Sequence, residues 1–466
     1  MKKAARLLLL LPLLCPGLSA ADQPNIIYIM LDDAGYGDVS CYGQKNFKTP
    51  NVDALAGGGL KFTQHYSGST VCAPTRCCLM TGLHTGHAFV RGNREVKPVG
   101  QSPIPGDTVT VAKLLKKSGY TTGAFGKWGL GNPGSEGDPV NQGFDVFYGY
   151  NCQRNAHTYY PTWLYHNLEK VELDGKTYAH DLIMTEALKF IRKNKDSPFF
   201  CFLPWTIPHA SMHVPEKYTA PFRKKFAKYE NTIGRYKGPK VKNPVAAFAG
   251  MMVKMDEGVG QVSALLKELG IEKNTVVLFT SDNGPHREGG HKPDVFDSNG
   301  PLSGYKRSVT EGGIRVPLIA YWPGRIRPGT TTDHISAHWD FLPTACALAG
   351  IESPKSIDGI SFLPTLLGKN KEQEQHDYLY WEFYEQGGKR AVRFGKWKAI
   401  QRNLKRNLNS PILLFNLDAD IGEKKNLAEK HPELVERARN IFAEAHTPSK
   451  RWGNLAKSRP KTKKSE

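Results

Sequence analysis

The 466-residue sequence has little cysteine, only 8 residues, and their spacing lacks the paired pattern of a disulfide scaffold. Its N-terminal apolar stretch is too short to cross a bilayer and no later run is long enough, which argues against stable membrane insertion. It carries no internal repeat, which excludes a solenoid. It also lacks a zinc-finger or RNA-binding signature, so nucleic acid is not the expected partner.

What is present is an ordinary globular composition, with 39% hydrophobic and 23% charged residues. The length exceeds one ordinary core, so a large domain with a smaller one is expected. Lys2, Lys3 and Arg6 precede an apolar stretch from Leu7 to Leu14, and small residues around Gly17 to Ala21 offer a cleavage site. Residues 1–21 therefore read as a signal peptide, and the protein as exported, periplasmic or secreted. Cys15 follows Leu14, which is large for a lipidation motif, so simple cleavage is expected. Seven cysteines then remain, an odd number that fits one with a special fate. The net charge of +19 suits an anionic partner. Part of it lies in residues 449–466, read as a solvated basic tail.

Asn25 to Leu31 is a continuous apolar run rich in β-branched residues, the pattern of a strand buried on both faces. Similar runs occur at Thr121 to Phe125, Phe199 to Leu203, Val276 to Thr280 and Val316 to Tyr321. Helical patterns intervene. Val109 to Ser118 has Asp107 and Thr108 as candidate caps and Gly119 as its stop, while Asp181 to Lys193 and Val245 to Leu269 are longer. This alternation predicts an α/β domain with a largely parallel sheet over 22–370. Lys369 to Gln375 is a polar linker. Short strand patterns at Tyr378 to Phe383, Ala391 to Phe394, Trp397 to Ile400 and Ile412 to Phe415, with a helix at Pro432 to Ala445, predict a small α+β subdomain over 371–448.

The polar residues that follow the apolar runs matter most. The first run leads into Asp32, Asp33 and Asp38, the second into Lys127, the third into His209, and the fourth into Asp282 and Asn283. Ligands in open α/β sheets bind beyond the carboxyl ends of the strands, so these side chains can build one site. Asp32, Asp33, Asp282 and Asn283 supply only oxygen, three of them anionic, which suits calcium, or magnesium in a tight cage.

Cys72-Ala73-Pro74-Thr75-Arg76 is a C-x-P-x-R motif, with a chance frequency in this length on the order of one in fifty. Together with MLDDAGYGD, CAPTRCCLMTG, GKWGLG, TSDNG, SGYKRSVTEGGIRVP and LLFNLDADIGEKKNLA, it makes the chain resemble the formylglycine-dependent sulfatases of the alkaline-phosphatase superfamily from Asn25 to about Ala445. The resemblance implies an alkaline-phosphatase-like sandwich with the large sheet between helices. It also implies that Cys72 is oxidised to formylglycine (3-oxoalanine) by a formylglycine-generating enzyme acting on the unfolded motif. A hydrated aldehyde offers two hydroxyls on one carbon: one attacks sulfur, and ionisation of the other expels sulfate from the formylglycine-sulfate ester. Pro74 suits a first helical turn, which places Cys72 at a helix N-terminus favourable to sulfate.

By the same resemblance, Asp32, Asp33, Asp282, Asn283 and the modified Cys72 hold one Ca2+, which acts as a Lewis acid. Arg76 would hold the formylglycine, Lys127 and Lys306 would clamp sulfate oxygens, and His209 would protonate the leaving alcohol. One position departs from the family pattern. Many members have histidine where this chain has Gly129, and His157 in NAHTYY is the candidate to take over as the base. His87 and Arg91 are candidates for contacts beyond the sulfate, and Tyr159, Tyr160, Trp163 and Trp205 for stacking on sugar rings.

The resemblance implies a sulfatase acting on a sulfated carbohydrate or a small aryl sulfate ester. The alternatives are a phosphodiesterase or phosphonate monoester hydrolase of the same superfamily, and a non-catalytic sulfated-glycan-binding protein. A two-zinc phosphatase would need several more His and Asp ligands than can be placed at the strand ends, and the intact residue set argues against a silent binder.

Overall fold

The computed structural model describes residues 23–453 and 455. The signal-peptide reading and most of the basic tail fall outside those residues. The main-sheet strands are β1 (Asn25–Leu31), β2 (Leu60–Tyr66), β3 (Thr121–Lys127), β4 (Val146–Tyr150), β5 (Trp163–His166), β6 (Glu169–Glu172) and β7 (Phe199–Pro204). After a two-stranded ribbon, β8 (Ile233–Gly234) and β9 (Val241–Lys242), come β10 (Thr275–Ser281), β11 (Arg315–Tyr321), β12 (Thr330–Thr332) and β13 (Ser336–Ala337). Their order is β12-β2-β11-β10-β1-β7-β3-β4-β5-β6, with β13 also on β2.

The central block from β10 to β4 is parallel. The run at Val316 to Tyr321 forms a strand, but it pairs antiparallel to β10 and to β2. Burial alone sets an apolar run, whereas the loop that returns the chain sets its direction.

β1 explains the layering. Ile26, Tyr28 and Met30 pack into one core, and Ile27, Ile29 and Leu31 into the other, as a period-2 strand requires. The first core takes helices Cys72–Thr81, Val111–Lys117 and Phe341–Leu348; the second takes Pro50–Gly58, Ala179–Lys193 and Pro244–Glu268. The sheet is thus sandwiched between helices. Each fully buried Ile or Leu in β1 stabilises the fold by about 1.5–3 kcal/mol.

The helix expected from Val109 starts at Val111, and its cap is Thr110, whose hydroxyl accepts from the Lys113 N–H at 3.3 Å. Asp107 and Thr108 lie before the cap, in a turn where the Thr108 N–H donates to Pro105 O at 3.2 Å. Gly119, at φ +94°, follows the last turn as expected.

A separate antiparallel sheet forms from β14 (Leu379–Phe383), β15 (Lys389–Phe394), β16 (Trp397–Arg402) and β17 (Ile412–Asn416). Leu379, Trp381 and Phe383 face the large core, while Tyr380 and Val392 face the closing helix Pro432–Glu444. The attachment is also polar. Arg91 and Glu382 form a buried pair at 2.7 Å, and Lys398 meets Glu311 at 2.8 Å. No helix among the described residues is long and apolar enough to cross a membrane.

Candidate active site

Parallel β1 and β10 deliver their acids side by side. The Asp282 N–H donates to Leu31 O at 2.9 Å, and the Asp33 N–H donates to the Asp282 carboxylate at 3.0 Å. Asp33 has a left-handed backbone, φ +67°, a conformation that aspartate tolerates better than most residues. Asn283 donates to Asp33 Oδ1 at 2.7 Å. Asp32, Asp33, Asp282 and Asn283 are all fully buried, at no more than 1% exposure.

Cys72 opens helix Cys72–Thr81, and its Sγ lies 3.2 Å from Asp32 Oδ1. Burial pushes its thiol well above the usual range, and Asp32 adds to the effect, so an unmodified thiol there stays protonated. Arg76, one turn on, reaches Asp282 Oδ2 at 3.0 Å and also donates to Lys127 O. It therefore ties the helix to β10 and β3 rather than hydrogen-bonding Cys72 itself.

Lys127 ends β3 with Nζ 2.6 Å from Asp32 Oδ2. Burial opposes its charge, but Asp32 outweighs that and holds the lysine at about 12. Burial would likewise raise Asp32, yet Lys127, Arg76 and Lys306 hold it well below the ordinary carboxylate range. Lys306 Nζ sits 2.7 Å from Asp33 Oδ2, 3.0 Å from His209 Nε2 and 3.2 Å from Glu288. Burial, then Lys306, depresses His209, so its ring is neutral. Its Nδ1 meets Ala210 O, which leaves Nε2 to accept from Lys306. The site is charge-dense and dry, where fixed cations interact strongly with an anion.

Asp32, Asp33, Cys72 and His209 each offer a ligand atom within 4.8 Å of one another, a cluster that can hold a metal ion. Asn283 Oδ1 is buried close by with no hydrogen-bond partner, an acceptor that a cation would satisfy. Asp282 is engaged by Arg76 and the Asp33 N–H, and burial pushes its carboxyl up to about 8 with repulsion from Asp32. The donors are mostly hard oxygens and fit a hard cation.

His157 is brought to the same place. Its ring stacks on His209, with centroids 4.7 Å apart, and both pack against Tyr236. Gly129 adopts φ +85°, and a Cβ there would come within 3.2 Å of Gln153 Nε2. A side chain at 129 would therefore be strained, and Gln153 fills the space it would need.

Other candidates lie elsewhere. Asp38 holds the loop after β1, accepting from Ser298 Oγ at 2.6 Å and Gly35 N at 2.7 Å. His87 pairs with Asp358 at 2.8 Å and Arg91 with Glu382, so neither is among the side chains gathered around Cys72. Tyr159 and Trp205 are fully buried and unavailable for stacking; the Tyr159 hydroxyl anchors the His209 loop through Thr206 O and His209 O. Tyr160 lines a cavity with Met212 and His213, and Trp163 lies under Lys170 on the β5–β6 hairpin. Glu288, Gln153 and Tyr236 were not singled out from the sequence. They sit on loops whose positions no local pattern encodes.

A sheet that presents carboxylates, buried lysines and a helix-initiating cysteine at one edge defines a hydrolase for anionic esters. Comparison with known proteins narrows this. Residues 24–351 match the family described as Sulfatase, and residues 304–443 match "N-sulphoglucosamine sulphohydrolase, C-terminal". The chain is 33% identical to arylsulfatase A of Homo sapiens, covering 93% of this chain and 89% of that protein. It is 33% identical to N-acetylgalactosamine-6-sulfatase of Rattus norvegicus, with 84% and 74% covered. The crystal structure of Ps i-CgsB in complex with k-i-k-neocarrahexaose superposes with a TM-score of 0.77 at 30% identity, covering 91% of this chain and 93% of the other. The chain belongs to the sulfatase family. It is a sulfatase of alkaline-phosphatase-like fold that hydrolyses sulfate esters.

Proposed function

We propose that the protein is an exported sulfatase that uses formylglycine at position 72 and one calcium ion to release sulfate from a sulfated carbohydrate. The observation that carries this is Cys72 at the head of its helix, 3.2 Å from Asp32 and enclosed with Lys127 and Lys306.

Asp32, Asp33, Asn283 and residue 72 would hold the ion, with Asp282 beside them, and it would supply Lewis acidity toward the sulfate. The formylglycine hydrate would supply two hydroxyls on one carbon, one to attack sulfur and one whose ionisation expels sulfate. The chain's own residues do the rest. Lys127 and Lys306 bind sulfate oxygens and meet the charge that grows on them. Arg76 fixes the helix that carries residue 72. His209 Nε2 and the Lys306 ammonium share the proton that passes to the leaving alcohol. We assign His157 a positioning role, holding the His209 ring by stacking.

The sugar substrate is supported by the relative named for N-acetylgalactosamine-6-sulfate and by the carrahexaose complex. We read 371–448 as a subdomain that closes one side of the site. The test is mass spectrometry of the residue-72 peptide from enzyme made with a formylglycine-generating enzyme, alongside sulfate release by Cys72→Ala. Formylglycine in active enzyme and none of that activity in the variant are expected. An ordinary thiol in fully active enzyme would end this reading.

A further inference from the structure

Beside the catalytic centre lies a second cavity of about 320 Å³, lined by Arg287, Glu288, Lys306, Arg307, Gln386 and Lys389 among others. It shares Lys306 and Glu288 with the centre, so a substrate held at Lys306 is next to it. Its lining carries four cationic side chains and one carboxylate, Glu288, while Asp294 and Asp33 pair with Arg287 and Lys306 from outside the lining. The Glu288 carboxylate is already taken by Lys306 at 3.2 Å and Arg307 at 2.7 Å. Lys389, from β15 of the small sheet, has no carboxylate within ion-pair distance among the described residues. Its Nζ donates only to Arg307 O at 2.8 Å and Gln386 Oε1 at 2.9 Å. Burial, then Arg402 and Arg307, makes its charge harder to hold. Arg287, Lys306 and Arg307 each have a carboxylate partner, so Lys389 is the cavity cation without one among the described residues, and an arriving anion would stabilise it.

We propose that this cavity is a second anion subsite, in which Lys389, with Arg287 and Arg307 beside it, binds a sulfate or carboxylate on the sugar next to the one being desulfated. This rests on the carbohydrate reading and makes the substrate an oligosaccharide with at least two anionic groups. It also gives the small sheet a part in substrate choice, since Lys389 is the charged residue it contributes.

The experiment uses the full mature enzyme with residue 72 converted. It compares sulfated disaccharides carrying one scissile sulfate with counterparts bearing a second sulfate, or a carboxylate, on the adjacent sugar; 4-nitrophenyl sulfate is the small control. Wild-type kcat/KM should be about tenfold higher for the doubly charged sugars, the size of one charged hydrogen bond, and the gain should lie in KM. The ratio should shrink as salt rises. Lys389→Ala should collapse that ratio and Lys389→Arg should keep it. The sulfate and carboxylate arms show which anion is preferred. Equal wild-type kcat/KM for singly and doubly charged sugars would overturn the proposal, as would an equal loss on every substrate in Lys389→Ala. Cleavage of 4-nitrophenyl sulfate with no disaccharide cleaved would overturn the carbohydrate reading itself.

Discussion

His157 lies parallel to His209, the ring planes only 9° apart and the centroids 4.7 Å, so the second ring cannot tilt without losing the first. Because His209 Nε2 also accepts from Lys306, the stack fixes the far end of a short chain of proton-bearing groups.

This arrangement separates two roles for His157. If it positions His209, His157→Phe keeps a flat ring and most of the rate, whereas His157→Ala loses about 1 kcal/mol of stacking and about fivefold in kcat. We expect that pattern in steady-state rates. Equal, large losses in both variants, with sulfated enzyme trapped, would instead assign it the base.

Metal binding should be visible without any assay of turnover. With calcium at 100 times its Kd, linkage adds about 2.7 kcal/mol to stability. Chelation should therefore lower Tm, and calcium should restore it. Asp33→Asn should abolish the calcium-dependent part of the shift in scanning calorimetry, because Asp33 is one of the clustered donors.

Arg91 and Glu382 test the docking of the small sheet. Removing the guanidinium in Arg91→Met leaves a fully buried carboxylate with only Tyr380, Tyr384 and His446 as side-chain partners. That should cost about 3–5 kcal/mol in denaturant unfolding. Arg91→Met combined with Glu382→Met should recover part of the loss, since the buried carboxylate that lost its guanidinium is removed with it. A single variant as stable as the wild type would rule out this account.

His376 gives a pH-dependent contribution. Burial disfavours its charge, but Asp340 at 2.8 Å prevails and raises its pKa above the ordinary value. A raised folded pKa stabilises below the unfolded value of about 6.5 and loses that contribution as pH climbs through the folded pKa. The Tm gap between wild type and His376→Asn should be full at pH 6 and shrink above about pH 6.5. A gap that widens with pH would reverse the sign of the argument.

Much of this was written locally. Continuous apolar runs named the central strands β1, β3, β7 and β10, because burial on both faces demands them, and Asp32, Asp33, Lys127, His209, Asp282 and Asn283, at or beyond the ends of those strands, lie together in the fold. The C-x-P-x-R motif placed Cys72 at a helix start for an equally local reason: Pro74 fits a first turn. What the sequence could not state were contacts between distant segments. The antiparallel course of β11, the diversion of Arg91 to Glu382, the burial of Tyr159 and Trp205, and Gln153 filling the space beside Gly129 all depend on which loops meet. The charge on Lys306 and the neutrality of His209 belong to this second kind. Each is set by neighbours brought in from far along the chain, and only the folded, water-excluding interior makes those neighbours count.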